Sequence, residues 1–332
     1  MLKLIVKLLL GLIVILIGAE FFTNAVEWLG CRLGLSEGAV GSILAAVGTA
    51  LPESIIPIVA ILFSHDVNTA HIGIGAILGA PFMLGTLALF ITGLSARCFV
   101  WRGAGVKSLK VDPVNISRDL TFFLVMYSLA LGVSLLDSKF IHHLTALFLI
   151  LMYVLYVFRT LNGGEQIVTE DLRPLYSCFW TVPTLPIILV QVVFSLTAII
   201  WGAGYFVEGI QVLAVNMGIP SLILALIIAP IATELPEKFN SVIWIAQRKD
   251  TLAMGNITGA MVFQSSLIPA FGLLFTPWQL NGTAFLSGIL VLCSVCLVVF
   301  SLLKNKRLST QLLISCGIFY LTFLGVVLWG VS

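Results

Sequence analysis

The chain has 332 residues, 60% of them hydrophobic and 10% charged, with a mean hydropathy of +1.13 and a formal net charge of +2. Soluble domains carry about 25% charged residues, so a water-soluble fold is excluded. The near-neutral balance, without a dense basic run, also excludes nucleic acid as a partner. What remains is a polytopic helical membrane protein whose surroundings are a lipid bilayer.

Apolar runs recur at the length a helix needs to cross the hydrocarbon, about 20 residues. They predict ten spans, near 2–22, 38–64, 70–93, 120–137, 140–159, 184–212, 220–246, 254–275, 283–303 and 309–330. The first run, "LKLIVKLLLGLIVILIGAEFF", has no small-residue cleavage site and reads as a span, not a signal peptide. The polar stretch 160–181 divides the chain into a first five-helix repeat (1–159) and a second (182–332). With both termini outside, thirteen Lys and Arg fall on the cytoplasmic side, against Lys3, Lys7 and Lys139 outside. The basic loop 97–118 reads as a topology signal. Cys293 and Cys296 share a helical face without a nearby histidine or acid and read as packing residues.

The two halves align without a gap from "IGAEFFTNAVEWLG" and "WGAGYFVEGIQVLA" through "GTALPES" and "ATELPEK". Gly18 meets Gly202, Thr49 meets Thr233, Pro52 meets Pro236 and Glu53 meets Glu237, a constant offset (236 − 52 = 184). Further on, Gly75 meets Gly255 and Gly79 meets Gly259 (259 − 79 = 180). Five spans per copy is an odd number, so the second copy enters the membrane from the opposite side. Inverted repeats place a substrate site near the midplane, on interrupted helices. The predicted fold is therefore all-α, ten transmembrane helices in two inverted five-helix repeats.

The two Pro-Glu pairs carry the chemistry. Pro52 and Pro236 remove the N–H that would bond the carbonyls of Gly48 and Ala232, and Pro57 and Pro230 do the same for Glu53 and Leu226. A carbonyl freed in hydrocarbon costs several kcal/mol unless something replaces the lost bond. A cation can replace it. Each motif then offers carbonyls, a threonine hydroxyl (Thr49, Thr233) and a carboxylate (Glu53, Glu237). All are oxygens, suited to the 6–8 oxygen ligands of Ca²⁺, and no histidine lies in either motif for a softer metal. Ionisable groups inside spans are functional by default. Glu20 and Glu208, by contrast, are as well explained by interfacial solvation.

These motifs resemble the Ca²⁺/cation antiporter superfamily, of the sodium/calcium exchanger type. "GTALPE" and "ATELPE" resemble its GTS-x-PE signature, and "GAILGAPFM" and "GNITGAMVF" its GN-x-x-GSN-x-x-N/D signature. Softer matches are "GAEFF", "GAGYFVEG" and Arg118-Asp119 at the fourth span. The resemblance implies an antiporter that exports Ca²⁺ against Na⁺ or H⁺ by alternating access, acting as a monomer in a prokaryotic plasma membrane, without catalytic residues or cofactors. It implies cation ligands at Glu53, Glu237, Thr49 and Thr233 and at the carbonyls of Gly48 and Ala232. It also carries Asn256, Gln264 and Glu234 into the site by position. The departures are specific: the signature's serines are Ala50, Glu234, Ala80 and Ala260, the asparagines after the latter two are Pro81 and Met261, its first GN asparagine is Ala76, and its terminal Asn and Asp are Leu84 and Gln264. Polar sodium ligands are thus thinned, most in the first half.

Glu234 adds a carboxylate one helical turn from Glu237. Two like charges that close leave one of them a carrier for a proton, so coupling to H⁺, or to fewer Na⁺, is one reading. The other is that Glu234 pairs with Lys238 or faces water. Rival functions are a passive cation channel using the same carboxylates, a non-calcium cation/H⁺ exchanger, and a structural descendant that no longer transports. No nucleophile elbow, paired histidines or Ser/Lys dyad supports an intramembrane enzyme.

Overall fold

The computed structural model describes residues 2–32, 51–63, 67–98, 107–162, 174–177, 183–280 and 282–331, with the side chains of 235–240 and some helix-end residues, among them 30–32, 51 and 67–68, outside that description. Gly48 and Thr49 therefore lie outside the described residues, and of Glu237 and Lys238 only the helical backbone is described.

The described chain is almost wholly helical. In order run α1 (Leu2–Arg32), α2 (Leu51–Leu62), α3 (Val67–Met83), a π-helical turn (Leu84–Ala88), α4 (Leu89–Cys98), β1 (Ser108–Leu109), α5 (Pro113–Val133) and α6 (Lys139–Asn162). The second half holds α7 (Leu185–Met217), α8 (Ser221–Ala246), α9 (Asp250–Gln264), α10 (Leu267–Phe275), α11 (Gly282–Asn305), β2 (Leu308–Ser309) and α12 (Thr310–Val331). Among the described residues, eight stretches, each a helix or stacked helices, are long and apolar enough to cross a membrane, and two shorter apolar helices, Pro52–Leu62 and Ser221–Glu234, lie where the second and seventh spans were expected.

Helix ends follow local chemistry. The Asp112 side chain accepts from the backbone N–H groups of Val114 and Asn115, with Pro113 at the first helical position, which caps α5. Gly218, at φ 66°, takes the left-handed conformation that ends α7, and Pro220 leads into α8.

The inverted symmetry is visible in the contacts. Where α1 crosses α7, a Cβ on Gly18 would meet the Ser195 carbonyl at 3.3 Å and Ile199 Cγ1 at 2.7 Å. A Cβ on Gly202 would meet the Gly11 carbonyl at 2.9 Å and Ile15 Cγ1 at 3.1 Å. Each contact is the other displaced by 184 positions (195 − 11 = 184, 199 − 15 = 184). In the same way α6 packs on α10 while α12 packs on α4. Residues 107–112 bond to the segments around 250 and 310, and Gln279 bonds to Asp137 at the opposite ends of the helices. The connections thus sort onto two faces, as alternating spans require. The ribbon β1–β2 pairs Ser108 with Ser309 and Leu109 with Leu308.

Interruptions fall at mated positions, but not at the prolines of α8. Despite Pro230 and Pro236, α8 runs unbroken through 26 residues. The break comes at Ser265–Ser266, between α9 and α10, and its mate in the first half is the π-helical turn beginning at Leu84 (264 − 84 = 180). A π turn carries one residue more per loop of helix and marks functional sites. Here Ser294 donates to the Gly85 carbonyl at 2.6 Å and Thr86 to the Phe82 carbonyl at 2.5 Å, satisfying acceptors that the altered ladder shifts.

Candidate cation site

Glu53 lies in the first turn of α2 and its side chain is buried. With Ile56 it lines a pocket completed by Ala76 and Ala80 of α3 and by Ala229, Pro230 and Thr233 of α8. The pocket is too narrow to admit a free water. Residues of both repeats thus converge on one point: Glu53 from the first, Thr233 from the second. Thr233 donates to the Ala229 carbonyl at 3.0 Å, so its oxygen lone pairs stay available to a cation.

Small residues make this convergence possible. A Cβ on Gly75 would fall 2.2 Å from the Leu222 carbonyl, and one on Gly79 would fall 2.2 Å from the Leu226 carbonyl and 2.7 Å from Pro230 Cγ. The Leu226 carbonyl is the one that Pro230 leaves without its helical donor, so the Gly79 Cα–H rests against the acceptor that needs it. The GxxxG spacing brings α3 onto α8 at backbone distance, and Ala76 and Ala80, on the adjoining face, keep the pocket from being filled. Where the signature places an amide and a hydroxyl, the pocket is therefore walled by methyl groups.

Glu234 and Gln264 form a second, adjacent element. Gln264 donates its side-chain N–H to Glu234 Oε1 at 2.6 Å, with both groups buried. Gln264 Oε1 has no hydrogen-bond partner among the described residues. Gln264 is the last residue of α9, at the break, so its side chain is held where the helix ladder stops. Asn256 stands apart from this pair: its amide donates to Ser241 Oγ at 3.3 Å, and Ser241 donates to the Ala253 carbonyl at 3.4 Å. Of the expected ligands, the structure brings together Glu53 and Thr233, and separately Glu234 and Gln264. Ala232 immediately precedes Thr233 and Glu234 in the same turn of α8.

A buried carboxylate outside the pocket, read from the sequence only as a family marker, joins three helices. Asp119 accepts from Tyr156 OH at 2.6 Å, Thr258 Oγ1 at 2.9 Å and Arg118 Nη2 at 3.3 Å, joining α5, α6 and α9. Arg118 also stands over the Tyr156 ring, 5.3 Å from its centroid. The signal in the sequence was an acid next to an arginine at the start of a span. Glu208, at the far end of α7, forms an ion pair with Lys7 at 2.7 Å.

The model of the sodium/calcium exchanger protein family matches residues 3–162 and 187–331. The chain belongs to this family. Among its relatives, the putative antiporter CaxA of Alkalimonas amylolytica is 25% identical over 321 residues, covering 96% of this chain and 95% of CaxA. The fold is that of the crystal structure of the H⁺/Ca²⁺ exchanger CAX, with a TM-score of 0.75 at 18% identity over 97% of this chain and 82% of that one. The sodium-calcium exchanger NCX_Mj matches with a TM-score of 0.58 at 20% identity, over 98% of each chain. The expected class, an all-α membrane protein of two inverted repeats, is thus the observed one. The chain is thus a multi-helix membrane protein of an exchanger family, and the two solved proteins that share its fold, CAX and NCX_Mj, are exchangers.

Proposed function

We propose that this exchanger-family protein is a secondary active antiporter that moves Ca²⁺ out of a prokaryotic cell across the plasma membrane, by alternating access at the Glu53 pocket. One observation carries the reading: Glu53 and Thr233, drawn from opposite repeats, line the same buried pocket. A carboxylate, a hydroxyl and proline-freed carbonyls are a hard-oxygen donor set, which suits a divalent cation of the calcium class. Glu237, the repeat mate of Glu53, supplies the second carboxylate in this reading. Two carboxylates neutralise one divalent ion, which lowers the cost of carrying it through hydrocarbon.

The counter-ion in this reading is H⁺. Na⁺ needs several oxygens around it, whereas the pocket presents the methyl groups of Ala76 and Ala80 where such oxygens would stand. A proton needs one carboxylate, and Glu53, Glu234 and Glu237 offer three. The basic bias of the loops supports an orientation with both termini outside.

The test is ⁴⁵Ca²⁺ uptake into proteoliposomes under separate Na⁺, K⁺ and pH gradients. The pH gradient drives uptake, and Glu53→Gln and Glu237→Gln abolish it. Uptake driven by Na⁺ at clamped pH overturns the proton assignment, and unchanged transport by Glu237→Gln overturns the whole reading.

A further inference from the structure

The crossing of α1 and α7 is fastened at both ends, and the two fastenings occupy mated positions. At one end Lys7 pairs with Glu208 at 2.7 Å. At the other Gln191 donates to Asn24 Oδ1 at 3.1 Å. Position 7 maps to 191 and position 24 to 208 under the repeat offset (191 − 7 = 184, 208 − 24 = 184). The same pair of positions therefore closes both ends of one helix pair, with different chemistry.

The chemistry makes the ends unequal. The Lys7 and Glu208 side chains are 30% and 61% exposed, and such an ion pair contributes about 0–1 kcal/mol. Gln191 and Asn24 are 3% and 4% exposed, and they serve more than each other. Asn24 Oδ1 accepts the backbone N–H of Tyr176 at 3.0 Å, and Asn24 Nδ2 donates to the Pro174 carbonyl at 3.2 Å. Gln191 Oε1 accepts the Ser177 N–H at 2.9 Å, and Gln191 Nε2 also donates to the Phe21 carbonyl at 2.9 Å. Tyr176 OH donates to Glu20 Oε1 at 2.7 Å. Between these bonds the fully buried Leu175 sits in an apolar cluster with Ala25 and Ile188. At the opposite end the mate of Ala25 is Gly209, against which Leu8 packs directly, its Cδ2 2.6 Å from where a Cβ would be. No third segment enters there among the described residues.

Inverted repeats alone would give the inward-open and outward-open states equal energies, because each is the other with the repeats exchanged. A contact present at one end only removes that equality. In this structure the linker is docked while the Glu53 pocket is too narrow to hold a water. We propose that residues 174–177 are a strap, and that Asn24 and Gln191 are positioning residues that dock it on α1 and α7 and so hold the transporter closed. Releasing the strap shifts the population toward states in which the pocket opens.

This inference rests on the alternating-access reading above, and its test reads opening without transport. The full chain, with its native cysteines replaced, carries Ala80→Cys in the pocket wall as a reporter for a water-soluble maleimide. Hydrogen–deuterium exchange reports the Tyr176 and Ser177 amides. Gln191→Leu and Asn24→Leu keep side-chain size and remove the acceptors. With either, the two amides exchange about tenfold faster or more, and the reporter labels about threefold faster or more. Leu175→Ala, which leaves both transmembrane helices intact, does the same and stands in should a helix variant not fold. Lys7→Gln with Glu208→Gln, the mated pair, leaves both readouts at parent values. Unchanged amide exchange, or faster exchange with unchanged labelling, overturns the strap. Equal effects from the Lys7 and Glu208 variant overturn the asymmetry. Absence of Ca²⁺ flux in the parent would instead strike the proposed function and leave these two readouts standing.

Discussion

Gln264 holds Glu234 through a 2.6 Å hydrogen bond in which both partners are buried. The pair links α8, which carries the Pro-Glu motif, to the end of α9, where the second repeat is interrupted. A carboxylate inside a span is thus tied to the helix break beside it. The family signature has its acid or amide at position 264 and a serine at 234. In this chain the acid stands at 234 and an amide faces it.

Removing the amide should therefore be expensive. A buried hydrogen bond to a charged group contributes about 1.5–3 kcal/mol, and losing one partner exposes the desolvation cost of the other. Gln264→Leu is expected to lower stability by about 2 kcal/mol, read as a lower melting temperature of the detergent-solubilised protein. Gln264→Glu can keep the contact by sharing one proton between the two carboxyls and is expected to lose less than the leucine. Equal stability of the parent and both variants would remove this bond from the account of the site.

The α3–α8 crossing and the middle of α7 give predictions of opposite sign at two glycines. Gly79→Ala would set a methyl 2.2 Å from the backbone carbonyl of Leu226, where no side chain can give way. We expect a loss of about 3 kcal/mol or of folded protein altogether, by the overpacking cost of a close contact. At Gly204, in mid-α7, a methyl would have nothing within 4 Å of it among the described residues. Gly204→Ala is expected to be neutral or to stabilise by up to about 1 kcal/mol, because alanine restricts the unfolded chain. Thermal melts of the two variants side by side check both signs.

Much of this arrangement was legible in the sequence, and the rest was hidden for identifiable reasons. The repeats could be read because Gly18, Gly202, Pro52, Pro236, Glu53 and Glu237 keep residue identity at a fixed offset. The clamps at the ends of the α1–α7 pair could not be read. Lys7 and Gln191, and Asn24 and Glu208, keep position and contact while changing chemistry, so comparison by identity passes over them. The prolines drew attention to α8 as the place of interruption. Proline removes one hydrogen bond, however, and the helix continues through both prolines, packed against Gly75 and Gly79. The actual interruptions, at Leu84–Ala88 and Ser265–Ser266, carry no proline of their own. Asp119 was visible as a residue, but its partners are 37 and 139 positions away.

The π-helical turn depends on a donor from another helix. Ser294 of α11 satisfies the Gly85 carbonyl at 2.6 Å inside the core. Ser294→Ala removes that donor and is expected to cost about 1–2 kcal/mol. Because the turn follows the pocket-lining Ala76 and Ala80 on the same span, ⁴⁵Ca²⁺ uptake by Ser294→Ala should show a weakened apparent affinity as well as a lower melting temperature. A lower melting temperature with unchanged affinity would make the turn a packing feature only.

Asp119 separates stability from transport. Its carboxylate collects donors from Tyr156, Thr258 and Arg118 and so pins α5, α6 and α9 together at one end. In Asp119→Asn the amide keeps the shape but loses the charge opposite Arg118 and turns an N–H toward one of two hydroxyl donors. Breaking a buried charged network of this kind costs about 3 kcal/mol, somewhat less where one partner reaches water. Arg118 is partly exposed, so about 2 kcal/mol is the expected loss. None of these groups lines the Glu53 pocket, so folded Asp119→Asn should bind Ca²⁺ with the apparent affinity of the parent while melting earlier. A large loss of affinity at unchanged melting temperature would place Asp119 on the ion path instead.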